Sequence, residues 1–181
     1  MTQPVDGGIT TPEGFLAAGV ACGIKRRRPG VDAPLDLALL TTARPVPAAA
    51  VFTTNKAVAA PVVVSREHLG RSHGLAQAIV TNSGCANAAT GDAGLRVARE
   101  MADITARAVG CSPELVLVAS TGVIGVQLDV TKVRAGVSEA SRMLDRSGGS
   151  AATRAIMTTD PFPKSCAAVN RTPAGVVTVG G

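Results

Sequence analysis

Leu115-Val116-Leu117-Val118-Ala119 leads directly into Ser120-Thr121-Gly122-Val123-Ile124-Gly125. The first stretch is an uninterrupted apolar run, typical of a buried strand, and the second is rich in turn residues. A hydroxyl group and free backbone N–H groups at a rigid strand end can stabilise negative charge that develops on a carbonyl oxygen. The same hydroxyl also suits a purely local role, because Ser and Thr often hydrogen-bond the backbone of their own turn. Both interpretations stay open at this point.

The chain before this strand contains further short apolar runs. They predict strands over residues 37–41, 49–53, 62–65 and 78–81, with Pro45-Val46-Pro47 and Asn55-Lys56 as separators. Because these runs lack a clean alternation of apolar and polar residues, we expect both faces of the strands to be buried.

Two amphipathic helices are predicted, one on either side of the opening strand. Apolar residues recur at helical spacing over 92–109, and Gly110 follows as a left-handed stop. Asp129 is a suitable N-cap for a second helix, whose apolar stripe extends to Leu144. The remainder of the chain predicts a short helix through Ala155 and Met157 and strands over 165–169 and 175–179.

The composition indicates one folded domain over residues 1–181, without an internal repeat or a linker long enough to divide it. Hydrophobic residues make up 46% of the chain and charged residues 17%, which excludes a disordered tail. So little charge also predicts that a partner chain covers part of the surface. The end of the chain, an apolar strand followed by Gly-Gly, predicts a processed subunit or a truncated chain.

The net charge of +5 is concentrated in Lys25-Arg26-Arg27-Arg28. A basic run of this kind suits either a nucleic-acid or targeting patch, or a solvated loop. We favour the loop, because no aromatic side chains accompany the run to stack on bases. No nucleic-acid partner is therefore predicted.

The four cysteines lie far apart and form no C-x-x-C pair, so we expect reduced, mostly buried thiols and no zinc site (Cys22, Cys85, Cys111 and Cys166). The first residues lack the pattern of a signal peptide, and no apolar run is long enough to span a bilayer. These features predict a cytoplasmic protein without membrane contact.

Most motifs of catalytic sites are missing from the sequence. His68 and His73 are expected on the surface, and the elbow of a serine hydrolase, metal motifs and nucleotide loops do not occur. Three polar turns remain, over residues 81–91, at Thr121-Gly122 and at 158–160. Because each adjoins an apolar element, we expect them to meet at one sheet edge, as a polar site without its own nucleophile or general base.

Several motifs in order along the chain resemble the bifunctional glutamate/ornithine N-acetyltransferase family. Each motif alone is a weak signal, but their joint occurrence is highly specific. The motifs are Gly19 to Lys25, Val51-Phe52-Thr53-Thr54-Asn55, Ala59-Ala60-Pro61-Val62, Asn82-Ser83-Gly84-Cys85-Ala86-Asn87-Ala88, Ser120 to Gly125, and Ala155-Ile156-Met157-Thr158-Thr159-Asp160. The resemblance implies an α/β fold, a layered α/β sandwich of the ornithine acetyltransferase and N-terminal-nucleophile aminopeptidase type, completed by a β chain.

The resemblance also implies an activity. Members transfer an acetyl group from N-acetylornithine to glutamate in arginine biosynthesis, through a ping-pong acetyl-enzyme mechanism. No cofactor is implied, although some members also accept acetyl-CoA as a donor. They are made as a precursor that cleaves itself before a threonine, which becomes the nucleophile of the β chain. The implied assembly of α and β chains is a heterotetramer or larger.

The residues that match the family's site are Thr121 and Gly122 for the oxyanion hole, and Thr158 for substrate binding, with Thr159 beside it as an alternative. The sequence departs from the family after Gly181, because the K-G-x-G-M segment and the Ala-Thr cleavage site are missing. We therefore interpret the chain as an α-chain portion that ends before the cleavage site, lacks the nucleophile and is inactive alone. The rival interpretations are a secondary-metabolite acetyltransferase, an N-terminal-nucleophile hydrolase, and a non-catalytic binding or interaction domain.

Overall fold

A computed structural model describes residues 2–27 and 29–181. The strands are β1 (Thr2–Val5), β2 (Phe15–Val20), β3 (Leu37–Pro47), β4 (Leu75–Cys85), β5 (Val116–Val123), β6 (Ala167–Thr172) and β7 (Gly175–Gly180). The helices are α1 (Ala60–Arg71), α2 (Gly91–Val109), α3 (Val130–Arg142) and α4 (Gly149–Ile156), with a 3₁₀ turn at Pro113–Leu115. Within the described ranges, no helix is both long and apolar enough to cross a membrane.

The strands form two sheets, which confirms the predicted α/β class. The larger sheet has the order β2-β3-β4-β5; its first two pairings are antiparallel, and β4 and β5 run parallel. The smaller sheet, β1-β6-β7, is antiparallel throughout. Because α2 connects β4 to the parallel β5, both strands end at the same edge of the sheet.

The larger sheet lies between two helical layers. Helices α1, α2 and α3 cover one face, where Leu37, Leu39 and Val80 pack against Val64 and Met101. Helix α4 covers part of the opposite face, around Ala17, Ala38, Ala152 and Ala155. These small side chains let the helix approach closely, and a side chain at Gly19 would come within 2.8 Å of the Ala152 nitrogen.

The helices and the later strands agree with the sequence. Helix α2 ends at Gly110, which adopts φ +74°, and the Asp129 carboxylate caps α3 by accepting from the Thr131 N–H at 2.9 Å. Strands β4 to β7 overlap their predicted ranges, although β6 begins at Ala167 and not at residue 165. Helix α4 contains Ala155 as predicted, but it ends at Ile156 and leaves Met157 outside the helix. Strand β7 is an edge strand whose Val176 and Val177 are exposed.

Three predictions in the first half of the chain are wrong. Residues 62–65 lie inside α1, where Pro61 occupies the first helical turn and Val64 packs beneath the sheet. Residues 49–53 form a loop and not a buried strand, and Val51 in this loop is fully exposed. The Pro45–Pro47 segment belongs to β3 and follows a register shift between Thr41 and Val46. Strands β1 and β2 were not predicted.

Two further expectations need correction. His68 is buried in α1, where its Nδ1–H donates to the Val116 carbonyl at 2.9 Å; only His73 is on the surface. The basic run is not uniformly solvated, since Lys25 is half-buried, while Arg28 lies outside the described residues. The cysteines are free but not mostly buried: Cys85 is buried, Cys22 and Cys111 are half-buried, and Cys166 is exposed.

Candidate functional site

Two of the three predicted polar turns lie side by side at the carboxyl ends of β4 and β5, but the structure corrects where the strands end. Residues 81–85 still belong to β4 and Thr121-Gly122 to β5, because the parallel pairing continues to Cys85 and Val123. The parallel register pairs Asn82 with Ser120, Ser83 with Thr121, Gly84 with Gly122 and Cys85 with Val123. Thr121-Gly122 therefore lies directly beside Ser83-Gly84, as expected for parallel strands that end at one sheet edge.

Gly122 is held against its partner strand more closely than any other residue type would allow. Its φ is +131°, which L side chains rarely adopt, and a Cβ there would lie 2.6 Å from the Cys85 nitrogen and 2.8 Å from Gly84 Cα. Gly84 is similarly constrained: its φ is +104°, and a Cβ on this residue would lie 3.0 Å from Lys25 Cγ. The backbones of Gly84 and Gly122 are therefore in direct contact. Thr121, the residue before Gly122, has a half-buried side chain.

Hydrogen bonds tie the two strand ends together on both sides of this glycine pair. The Ser120 hydroxyl donates to Asn82 Oδ1 at 2.6 Å, and Asn82 Nδ2 donates to the Cys85 carbonyl at 2.8 Å. Beyond the glycines, the Ala86 N–H donates to the Val123 carbonyl at 2.9 Å. The turn is therefore rigid, which suits a site that stabilises charge without reorganising.

The third polar turn is joined to the same place through α4. The buried Ser83 hydroxyl donates to the Ala155 carbonyl in the last turn of α4, and the chain continues from there into Thr158. Thr158 lines an open cavity of about 590 Å³ together with Lys25, Arg26 and Arg154. Thr159 is exposed and is not among the residues that line this cavity.

Lys25 lies between this cavity and a second one of about 470 Å³, which Gly84, Cys85 and Val123 line. Its ammonium group donates to the Leu35 carbonyl at 2.8 Å, and burial lowers the pKa of Lys25, partly opposed by the nearby Asp36 carboxylate. A cation at the junction of both cavities favours anionic groups on a ligand.

Asp36 holds the loop that carries Lys25. It is fully buried, and its carboxylate accepts the Cys22 N–H at 2.7 Å and the Lys25 N–H at 2.9 Å. Burial, aided by the Asp36 carboxylate, raises the pKa of the Cys22 thiol to about 12, so this thiol remains protonated and inert. Across residues 2–27 and 29–181, no three His, Cys, Asp or Glu side chains gather as a metal site.

The sequence reasoning missed Lys25 and Asp36 as parts of this site, and it included Asn82 and Ser83 only as members of the polar stretch over residues 81–91, without individual roles. Asn82 and Ser83 belong to a motif that carries the family resemblance, and that is the signal that could have singled them out. Nothing in the local sequence marks Asp36, whose importance depends on a loop 14 residues earlier in the chain.

Comparison with known proteins gives a consistent result. A profile of the ArgJ family matches residues 16–181. The "Arginine biosynthesis bifunctional protein ArgJ" of Symbiobacterium thermophilum is 50% identical over 175 residues, 96% of this chain and 42% of the relative. The protein of the same name from Thermosynechococcus vestitus is 46% identical over 179 residues, 99% of this chain and 41% of the relative. The chain thus spans about two fifths of the length of these relatives.

Two crystal structures share the fold. ArgJ from Bacillus halodurans superposes with a TM-score of 0.90 at 34% identity, covering 100% of this chain and 92% of that one. Ornithine acetyltransferase complexed with ornithine, from Mycobacterium tuberculosis, gives 0.86 at 37% identity and covers 100% and 95%.

Proposed function

Because the chain belongs to the ArgJ family, we propose that it forms one part of an enzyme that transfers an acetyl group from N-acetylornithine to glutamate. The observation that carries this proposal is the Thr121-Gly122 segment at the end of β5, where the Gly122 backbone packs directly against Gly84. The resemblance assigns an oxyanion hole to this same turn, so geometry and family point to one chemistry.

In the proposed reaction, the N-terminal threonine of a β chain attacks the acetyl carbonyl carbon. The hydroxyl proton passes to the α-amine of that threonine, and the carbonyl oxygen becomes negatively charged. The Thr121 hydroxyl and the Gly122 N–H donate to this oxygen. The bond from the acetyl carbon to the ornithine nitrogen then breaks, with proton return to the leaving amine. The glutamate amine next attacks the acetyl-enzyme carbonyl, the ester bond to the threonine oxygen breaks, and the proton lost by the amine returns through the α-amine to that oxygen.

The cavity at Thr158, which Thr121 and Gly122 do not line, supports an amino-acid substrate. Thr158 lines the same cavity as Lys25 and Arg154, which provide positive charge for a carboxylate. The Asp160 carboxylate also lines this cavity and is paired with Lys164 in the structure. We assign substrate contact to Thr158, with its neighbour Thr159 as the alternative. Acetyl-CoA remains a candidate second donor.

A β chain is also part of the proposal. The large sheet is covered by α4 over only part of its second face, and Ile79 is exposed there beside the half-buried Leu117. The chain also matches only about two fifths of its relatives. A partner that packs on this face would bring the nucleophile and bury the apolar surface.

Replacement of Thr121 by Val tests the proposal. Valine has a similar shape and lacks only the donor, so kcat of the assembled enzyme should fall by about 10²-fold or more. A transfer assay with N-acetylornithine and glutamate measures this loss, and circular dichroism checks that the fold is intact. Turnover at the wild-type rate would remove Thr121 from the oxyanion hole.

A further inference from the structure

We propose that Asn82 and Ser83, adjacent and fully buried residues of β4, are positioning residues that each hold one half of the active site. Asn82 holds the Thr121-Gly122 turn through Ser120, and Ser83 holds the segment that carries Thr158 through Ala155. This inference rests on the proposed function, because it assumes the oxyanion and substrate roles of those two segments.

The Asn82 amide makes contacts that a simple strand pairing does not require. Its Oδ1 accepts from the Ser120 hydroxyl at 2.6 Å, and its Nδ2 donates to the Cys85 carbonyl at 2.8 Å. One side chain therefore connects the residue before Thr121 with the residue after Gly84. It spans the glycine pair from the protein side, where water cannot compete for the hydrogen bonds.

The glycine pair needs such support. Gly84 and Gly122 face each other without side chains, and glycine has the widest conformational freedom of any residue. The backbone hydrogen bonds beyond the pair, Ala86 N–H to Val123 and Gly125 N–H to Ala88, hold only the outer end. At the inner end, the Asn82–Ser120 contact adds a side-chain hydrogen bond to the backbone pairing of the two strands, immediately before Thr121, and in this inference it holds the Thr121 hydroxyl in place.

Ser83 acts on the opposite side of the strand. Since successive side chains of a strand point to opposite faces, Ser83 is directed at α4 while Asn82 is directed away from it. Its hydroxyl donates to the Ala155 carbonyl, one of the terminal carbonyls without a partner inside the helix. Helix α4 ends one residue later, Met157 is extended, and Thr158 follows in a bend, so this contact sets where the segment with Thr158 leaves the helix.

The Asn82–Ser120 contact and the Ser83–Ala155 contact predict different kinetic effects in the assembled enzyme, the first on kcat and the second on KM. Ser120→Ala removes the hydroxyl that Asn82 holds, and kcat should fall by about tenfold or more with KM little changed, because small displacements of reacting groups are costly. Ser83→Ala frees the end of α4, and KM for N-acetylornithine should rise about fivefold, the effect of one hydrogen bond, with kcat retained.

A matched control separates positioning from general loss of stability. Ser65 is also a buried serine bonded to β5, donating to the Val118 carbonyl at 2.7 Å and accepting from the Val118 N–H at 2.8 Å. Ser65→Ala should lower the melting temperature while kcat and KM stay within about twofold of wild type. If Ser65→Ala and Ser120→Ala lower kcat equally, the positioning role is wrong.

A double variant tests whether Ser120 acts through Thr121. In the Thr121→Val background, Ser120→Ala should have little further effect on kcat, since the hole is already incomplete. If the two losses multiply in full, the inference is overturned. Wild-type turnover of Thr121→Val alone would instead overturn the proposed function. If Ser120→Ala does not assemble, Ser120→Thr and Ser120→Cys replace it in the test. Threonine keeps the hydroxyl donor, whereas the thiol of cysteine is a weak donor, so kcat should be lower in Ser120→Cys. Equal kcat values of these two variants would count against the inference.

Discussion

Replacement of Gly122 by alanine is the most direct test of the backbone packing at the candidate site. The new Cβ would lie 2.6 Å from the Cys85 nitrogen and 2.8 Å from Gly84 Cα, both of them backbone atoms that cannot rotate away. The φ of +131° is also unfavourable for any residue with a side chain. Backbone strain and steric overlap therefore add.

The size of the effect follows from these two contributions. A non-glycine residue in such a conformation costs about 1–3 kcal/mol. Forcing a methyl group into closely packed backbone costs about another 1–3 kcal/mol. We therefore expect Gly122→Ala to lower the free energy of unfolding by about 2–6 kcal/mol. Since relief of the overlap must separate β4 from β5, transfer activity should fall at least as far as in Thr121→Val.

Gly125 provides the matched control. It lies in the same turn with φ +80°, but a Cβ there would meet nothing within 4 Å. Gly125→Ala should therefore show strain alone, about 1–2 kcal/mol. Urea denaturation of the assembled enzyme measures both variants, and the transfer assay compares their kcat values. Equal stability and equal activity of the two variants would refute the argument from backbone overlap.

The remaining predictions concern the thiols and the exposed edge. Because the pKa of Cys22 is raised from its usual 9 to about 12, this thiol should resist alkylation at pH 8 while the exposed Cys166 reacts. Mass spectrometry of the labelled peptides measures this difference. The stability that depends on the protonated Cys22 thiol is present below pH 9 and is lost as the pH rises toward 12. Equal labelling of both cysteines would contradict this burial. The 181-residue chain alone should lack transfer activity and self-associate through β7, and Val177→Lys should reduce the association, since a charge protects a sheet edge. Size-exclusion chromatography and the transfer assay test this; a monomeric or active isolated chain would count against it.

Local pattern was enough wherever one residue stretch controls its own structure. Helix α2 has a strong apolar stripe and a glycine stop, and α3 has the Asp129 cap, so both appear at their predicted places. The run over 62–65 lacks a period, and its β-branched valines suit a strand. Its helical conformation comes from packing beneath the sheet, with Val64 buried and Ser65 bonded to β5.

The sequence by itself determined the chemical nature of the candidate site. It put Thr121 and Gly122 at a strand end and Thr158 after a short helix, because hydroxyls, glycines and apolar runs mark such places locally. Only the tertiary structure decided what supports them. Asn82 meets Ser120 across 38 residues of chain, and Ser83 meets Ala155 across 72. The parallel pairing of β4 with β5 and the packing of α4 create these contacts, which depend on the whole sheet and leave no periodic trace in the sequence.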